Sequence, residues 1–368
     1  MKTDFLPPVD QGVPLGAIDR HCHLDRAWTL KPEYLSPIQF SPETLQYMSL
    51  AAKQNLMGDL HRSPAYDKVE LACRMDAVIT AKYAAGERVM WAVIDTPADC
   101  VRLRALESAL ELRSKWAKKG YDLNVGAYPI FGFKEHGSDR EKIFREAAKE
   151  AQFVCLLPER DERPGHTVTF EHHIRIGLEV ACENNLPAHI HLDQMNVEHE
   201  RGTERLFEGL RYLDQPKVVG DNYPVKVVHD ISPTCYMEDR FQRHLDGFLE
   251  FNLELITCPV AGGSMRQLDV FKSRTHNCIA RVWDYVSVHI PVGIGSDNIG
   301  DPFVPIWKPT LDREIAELAT LTRFYDFNIY HKLLLSEELT QPDIDNVLTF
   351  LEMNRQANQT ALRATRVG

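Results

Sequence analysis

The chain has 368 residues, 44% hydrophobic and 26% charged, the make-up of a globular protein able to bury a large core. Its net charge of −11 argues against nucleic acid, which needs basic patches; no apolar run approaches the ~20 residues of a membrane span, and the N-terminus lacks a signal-peptide pattern. The eight scattered cysteines include no CxxC pair, so a cytoplasmic protein with reduced thiols is expected rather than a disulfide framework.

The first strand-like run, LGAID at 15–19, leads directly to His21 and His23. Their spacing of two sets both rings on one face of a strand. The crossover that follows, residues 26 to 87, is about twice the usual length. It carries Trp28, Pro32, Pro37 and Pro42, and such an excursion usually shapes or covers an active site. RVMWAVID (88–95) then ends on Asp95, and LNVGAYPIF (123–131) on Phe131. QFVCLL (152–157) is followed by Glu159, and LPAHIHL (186–192) carries His189 and His191 before Asp193 and Gln194. VKVVHD (225–230) brings His229, LELITCPV covers 253–260, and PVGIGSD (291–297) ends on Asp297.

Amphipathic stretches such as SDREKIFREAAKEA and FEHHIRIGLEVACENN separate these runs. Strands alternating with helices mean parallel βαβ units, and near-continuous apolar strands mean that both faces are covered. Eight such units predict a (β/α)8 TIM barrel. The rival, a doubly wound open sheet, lacks the GxGxxG expected after its first strand. A single domain over 1–368 is expected, with a barrel core at about 15–303. A C-terminal helical segment at 304–368 would pack on the barrel or on a subunit.

Catalytic groups of such barrels sit at the C-terminal ends of the strands. His21, His23, His189, His191, His229 and Asp297 all fall there, on four different strands. Neutral imidazoles with one carboxylate suit a borderline divalent ion such as zinc or iron(II). Singly each residue has a plain structural reading: a hydrogen-bonded core pair, a satisfied core histidine, a carboxylate capping the next segment. Their coincidence at one rim carries the functional reading. The other ten histidines fall on helices, loops or strand starts and receive no role.

Read together, HCHLD, HLDQ, VVHD and GSDNIGDP resemble the motifs of the amidohydrolase superfamily, most closely its cytosine deaminase and adenosine deaminase branches. The resemblance implies His21, His23 and His191 as metal ligands, and Asp297 as ligand and proton acceptor. It implies His229 as the group that orients the attacking water. Binuclear members carry a carboxylated lysine at the end of strand four; FVCLLPERD has none, so one divalent ion per chain is expected, zinc first, with iron(II) and manganese as alternatives. Only 16 residues precede strand one and the chain stops in a helix-like segment, so no accessory β-sandwich is expected.

Gln194 stands where the ring deaminases carry the glutamate of HxxE. A glutamine amide donates or accepts a hydrogen bond but does not shuttle a proton. Asp193 alternates to the opposite face if the strand persists, so it is a poor substitute. The expected activity is metal-dependent attack on a C–N bond of a small nitrogen-containing molecule, by amide hydrolysis or hydrolytic deamination. The alternatives are a nucleobase-type deaminase and a non-catalytic ligand-binding barrel. Catalytic roles fall to His229, Asp297 and Gln194. Position alone nominates Gln194, Trp28, Asp95, Phe131 and Glu159 as substrate contacts, and a homo-oligomer is expected.

Overall fold

The computed structural model describes residues 12–41, 44–45, 48, 50–213, 224–264 and 278–365; Pro42 and His276 lie outside these. Eight strands form one sheet in chain order: β1 (Ala17–His23), β2 (Glu87–Asp95), β3 (Asp122–Tyr128), β4 (Phe153–Leu156), β5 (Ala188–Leu192), β6 (Val225–His229), β7 (Glu254–Thr257) and β8 (Val292–Ile294). Each pairs with the next in parallel. From β4 to β8 every strand residue is buried, as it must be when helices cover one face and packed side chains fill the other. The expected (β/α)8 barrel is what the chain forms. Among the described residues every strand belongs to this sheet, and no helix is long and apolar enough to cross a membrane.

The seam between β8 and β1 sets the site. β8 is shorter than the apolar run suggests, because the backbone leaves the ladder at Gly295. A Cβ there would lie 2.9 Å from the Cβ, N and O of His21, an approach only glycine allows. The edges rejoin two residues on. The His23 N–H donates to the Asp297 carbonyl, and the Asp297 N–H to the His21 carbonyl, both at 2.7 Å, giving a parallel bridge between Cys22 and Asp297.

The helices Lys68–Ala85, Arg104–Ala117, Asp139–Ala148, Phe170–Asn184, Gly202–Leu210 and Glu238–Glu250 alternate with strands. Their ends follow from sequence. Ser138 accepts from the Glu141 N–H while the Glu141 carboxylate accepts from the Gly137 N–H at 2.7 Å, a reciprocal cap. Thr169 opens Phe170–Asn184, and Asn185, at φ 54°, closes it. Beyond β8, helix Phe327–Leu335 packs on β1 and β8, and Gln341–Thr365 packs on Val282–Ser287. Residues after 304 thus complete the outer ring across the seam.

The long first crossover runs through short helices at Pro32–Leu35, Leu50–Asn55 and Met57–Leu60 before Lys68–Ala85. Buried polar groups tie it down. The Arg74 guanidinium donates to the carbonyls of Ala27, Asp25 (3.0 Å) and Ala65 (2.7 Å). His61 bridges Asp99 through Nδ1 (2.5 Å) and Asp95 through Nε2 (3.2 Å).

Candidate active site

β1 ends on His21 and His23, β5 carries His189 and His191, and Asp297 follows β8 on the seam. His21 Nε2 lies 3.1 Å from His191 Nε2, and His23 Nε2 3.3 Å from Asp297 Oδ1. One ligand atom from each of His21, His23, His191 and Asp297 falls within 4.8 Å of the others, and all four residues are buried. His229 approaches from β6, with Nε2 3.8 Å from Asp297 Oδ2. The structure therefore brings together the residues that the motifs nominate, apart from His189. That ring lies deeper in the barrel, its Nδ1 3.4 Å from His21 Nδ1 and its face on Trp91 and Phe153.

His229 reaches the rim by a backbone device. Lys226 points into the barrel, paired with Glu254 and 5.6 Å from the Trp91 ring, so strict alternation would turn His229 outward. Its φ of 79° breaks the alternation at the last strand residue. Asp193 (φ 53°) and Asp297 (φ 52°) also occupy left-handed backbone at strand ends. Such strain concentrates at functional sites.

The donor set suits a metal. Burial, reinforced by neighbouring rings, holds His21 and His229 well below the usual histidine range. Burial and then Arg26 do the same for His23. Burial takes His191 down to about 4, against the pull of the Leu156 carbonyl. Neutral imidazoles present lone pairs, and the His191 Nδ1–H donated to the Leu156 carbonyl (3.1 Å) leaves Nε2 as the ligand. Asp297 Oδ1 is buried without a hydrogen-bond partner, an orphan acceptor that a cation would satisfy. Donor atoms that would share one ion must stand a few ångströms apart, and the 3.1 Å between His21 and His191 and the 3.3 Å between His23 and Asp297 are of that order. Behind it, Asp19 accepts from the His21 N–H (3.2 Å), the Ser296 N–H (3.0 Å) and the Lys82 ammonium (2.7 Å). That network fixes β1 to the seam.

A cavity opens above the cluster, walled in part by Arg26, Tyr128, Gln194 and Phe303. Leu50, Lys53 and Gln54 of the first crossover complete the wall, as the length of that crossover suggests. Of the positional nominations, Gln194 lines the cavity, its Nε2 donating to Glu159 Oε2 at 3.1 Å. Glu159 stands behind it. Asp95 is clasped by Arg26 (2.5 and 3.0 Å) and His61. Phe131 packs on His61, and Trp28 donates to the Trp307 carbonyl at 2.9 Å; neither lines the cavity. Asp193 turns away to cap helix Gly202–Leu210, accepting from the N–H groups of Gly202 (2.6 Å) and Thr203 (2.8 Å).

The sequence reading missed Arg26, Tyr128, Lys53 and Gln54. Arg26 was within reach, three residues beyond His23 on the rim. Lys53 and Gln54 sit in a six-residue helix too short for a periodic signal.

Fold and rim together are a (β/α)8 barrel that carries a candidate metal-binding cluster at the C-terminal ends of its strands. Among solved structures, the chain is similar to 5-methylcytosine deaminase from Klebsiella pneumoniae liganded with 5-fluorocytosine: 18% identity and a TM-score of 0.70 over 85% of this chain and 70% of that one. It is similar to N-isopropylammelide isopropylaminohydrolase from Burkholderia multivorans, at 17% identity and a TM-score of 0.60 over 90% and 71% of the two chains. ADAL in its IMP complex follows, at 11% identity and 0.58 over 93% and 98%. No family model and no curated protein sequence matches the chain.

Proposed function

We propose that the protein is a metal-dependent hydrolase that attacks a C–N bond of a small nitrogen-containing molecule. One divalent ion per chain is held by His21, His23, His191 and Asp297, zinc first, with iron(II) or manganese acceptable to the same donors. The observation that carries this reading is the convergence of those four ligand atoms within 4.8 Å at the base of a cavity. Such an ion supplies Lewis-acid polarisation and a water of lowered pKa. Asp297, with Oδ1 toward His23 and Oδ2 toward His229, accepts the proton of the attacking water and returns it to the departing nitrogen. His229 Nε2 stabilises the charge that develops beside it. Gln194, its amide nitrogen spent on Glu159, offers its carbonyl to an N–H or O–H of the substrate.

Nucleobase-type deamination is the second reading, and Glu159 favours it. Burial and then Asp193 push this carboxyl up to about 8, a value suited to proton transfer. It meets the cavity only through Gln194, which does not shuttle protons, so the hydrolase of an amide or activated amine stands first. A non-catalytic barrel would have no use for so complete a donor set. Cytoplasmic location, on the scattered cysteines, and self-association remain part of the proposal.

Elemental analysis of the purified protein should find about one equivalent of metal per chain, lost in His21→Ala and His191→Ala. The loaded enzyme should release ammonia or an amine from members of an amide and aminoheterocycle panel. Full metal occupancy in both variants would overturn the ligand assignment. Cytosine or adenine turning over faster than every amide would hand the site to the second reading.

A further inference from the structure

The chain is acidic overall, yet a lysine without a carboxylate partner lines the cavity, and two arginines that likewise lack one stand behind the same wall. Lys53 lines the cavity at 7% exposure. Its ammonium donates to the Phe303 carbonyl at 3.3 Å, and among the described residues no carboxylate forms an ion pair with it. Asp301 acts on it from farther away; its Oδ1 accepts from the N–H groups of Phe303 and Val304, both at 2.9 Å, and its Oδ2 is buried without a hydrogen-bond partner. An ammonium has three donors, so two remain.

Beside it Gln54, also on the cavity wall, accepts at Oε1 from Arg160 Nη1 (3.1 Å) and Arg163 Nη2 (3.3 Å). Arg160 is 4% exposed, and its Nε has no hydrogen-bond partner. Neither arginine is paired with a carboxylate among the described residues. Burial, then Arg163 and Arg140, push Arg160 down to about 10, which records how crowded with positive charge this corner is.

Other buried cations have donors taken up: Lys82 by Asp19 and Glu87, Lys226 by Glu254, Arg26 by Asp95, and Arg74 by three backbone carbonyls. A buried charge without a counter-ion is costly, and here the unpaired ammonium faces the space a substrate would fill.

We propose that the substrate carries an anionic oxygen group, a carboxylate or a phosphate, seated on Lys53 in the field of Arg160 and Arg163, with its C–N bond toward the histidine–aspartate cluster. The substrate class is then an amide or amine with an acidic tail. This rests on the hydrolase reading for what happens to the C–N bond, but the anion seat stands on its own geometry.

Titration calorimetry of the metal-loaded protein with succinate, inorganic phosphate and neutral succinamide tests it. At least one anion should bind and succinamide should not, with affinity falling as salt rises. Lys53→Met should weaken that anion about tenfold or more, while Lys53→Arg retains binding. Should Lys53→Met fail to fold, Arg160→Met is read in the same way. Binding that survives chelation of the metal supports a seat distinct from the ion; binding lost on chelation overturns it, as does binding unchanged in Lys53→Met or equal affinity for succinamide. A protein that takes up no metal yet holds the anion keeps the seat and sinks the hydrolase reading. The arm that binds, succinate or phosphate, names the tail.

Discussion

Gln194 enters the cavity with its amide nitrogen donated to Glu159, so its carbonyl is the group available to a substrate. Gln194→Ala removes that acceptor and strips buried Glu159 of a donor. The expected cost is about 1–3 kcal/mol, read in steady-state kinetics chiefly as a raised KM. Gln194→Glu is sharper, because it sets a second carboxyl against one that burial and Asp193 already push up to about 8. Lower activity on the natural substrate is expected; a variant faster than the parent would show that a proton shuttle is required there. Asp297→Asn keeps shape and loses the base. Its kcat should fall at least about a hundredfold with a much smaller change in affinity, and retention of a tenth of the activity would remove Asp297 from the proton route. At this scale the sequence was readable where spacing encodes direction, as for His21 and His23. His229 and Asp193 were placed correctly by their position at strand ends, but the left-handed φ that turns each side chain there was not readable.

The first crossover is held by His61, which lies between Asp95 and Asp99. Burial favours its neutral form, but the two carboxylates outweigh that and push it up from 6.5 to about 9. A raised folded-state pKa means that the protonated ring stabilises the fold. The contribution is complete below pH 6.5 and is lost as pH rises to about 9, at most about 3 kcal/mol. Urea midpoints should therefore fall across that interval, and His61→Gln should flatten the fall; a flat wild-type profile would refute the anchor. The length of this segment announced its covering role. Its contribution of Lys53 and Gln54 was hidden, because side-chain direction in short helices depends on the tertiary ties that Arg74 and His61 make.

Across the whole barrel, a bound ion should act as a rivet. His21 and His23 lie on the first strand and Asp297 past the last, joined by two backbone hydrogen bonds. Anything that binds the folded state alone stabilises it, by about 2.7 kcal/mol at a hundred times its Kd. Chelation should lower the melting temperature by several degrees, and His191→Ala should start low and show no further drop. An unchanged melting temperature in the wild type would argue against an ion across the seam. The eight strands and their order were legible from texture alone. Their ends were not: TCPV continues apolar beyond β7, yet Pro259–Ser264 turns helical, and PIF runs on past β3 without a partner. Pairing, unlike hydrophobicity, depends on where the neighbouring strand stops.

The donor pair on β1 is made early and its carboxylate last. A chain emerging from the ribosome exposes His21 and His23 long before Asp297 has been synthesised, and for most of that interval the two imidazoles are a loose, bidentate chelator. Strong metal capture must wait for nearly the whole barrel to be translated and for its ends to meet, a slow, non-local event. On the proposed ligand assignment, capture of the ion follows folding, through the mouth of the cavity rather than along the growing chain.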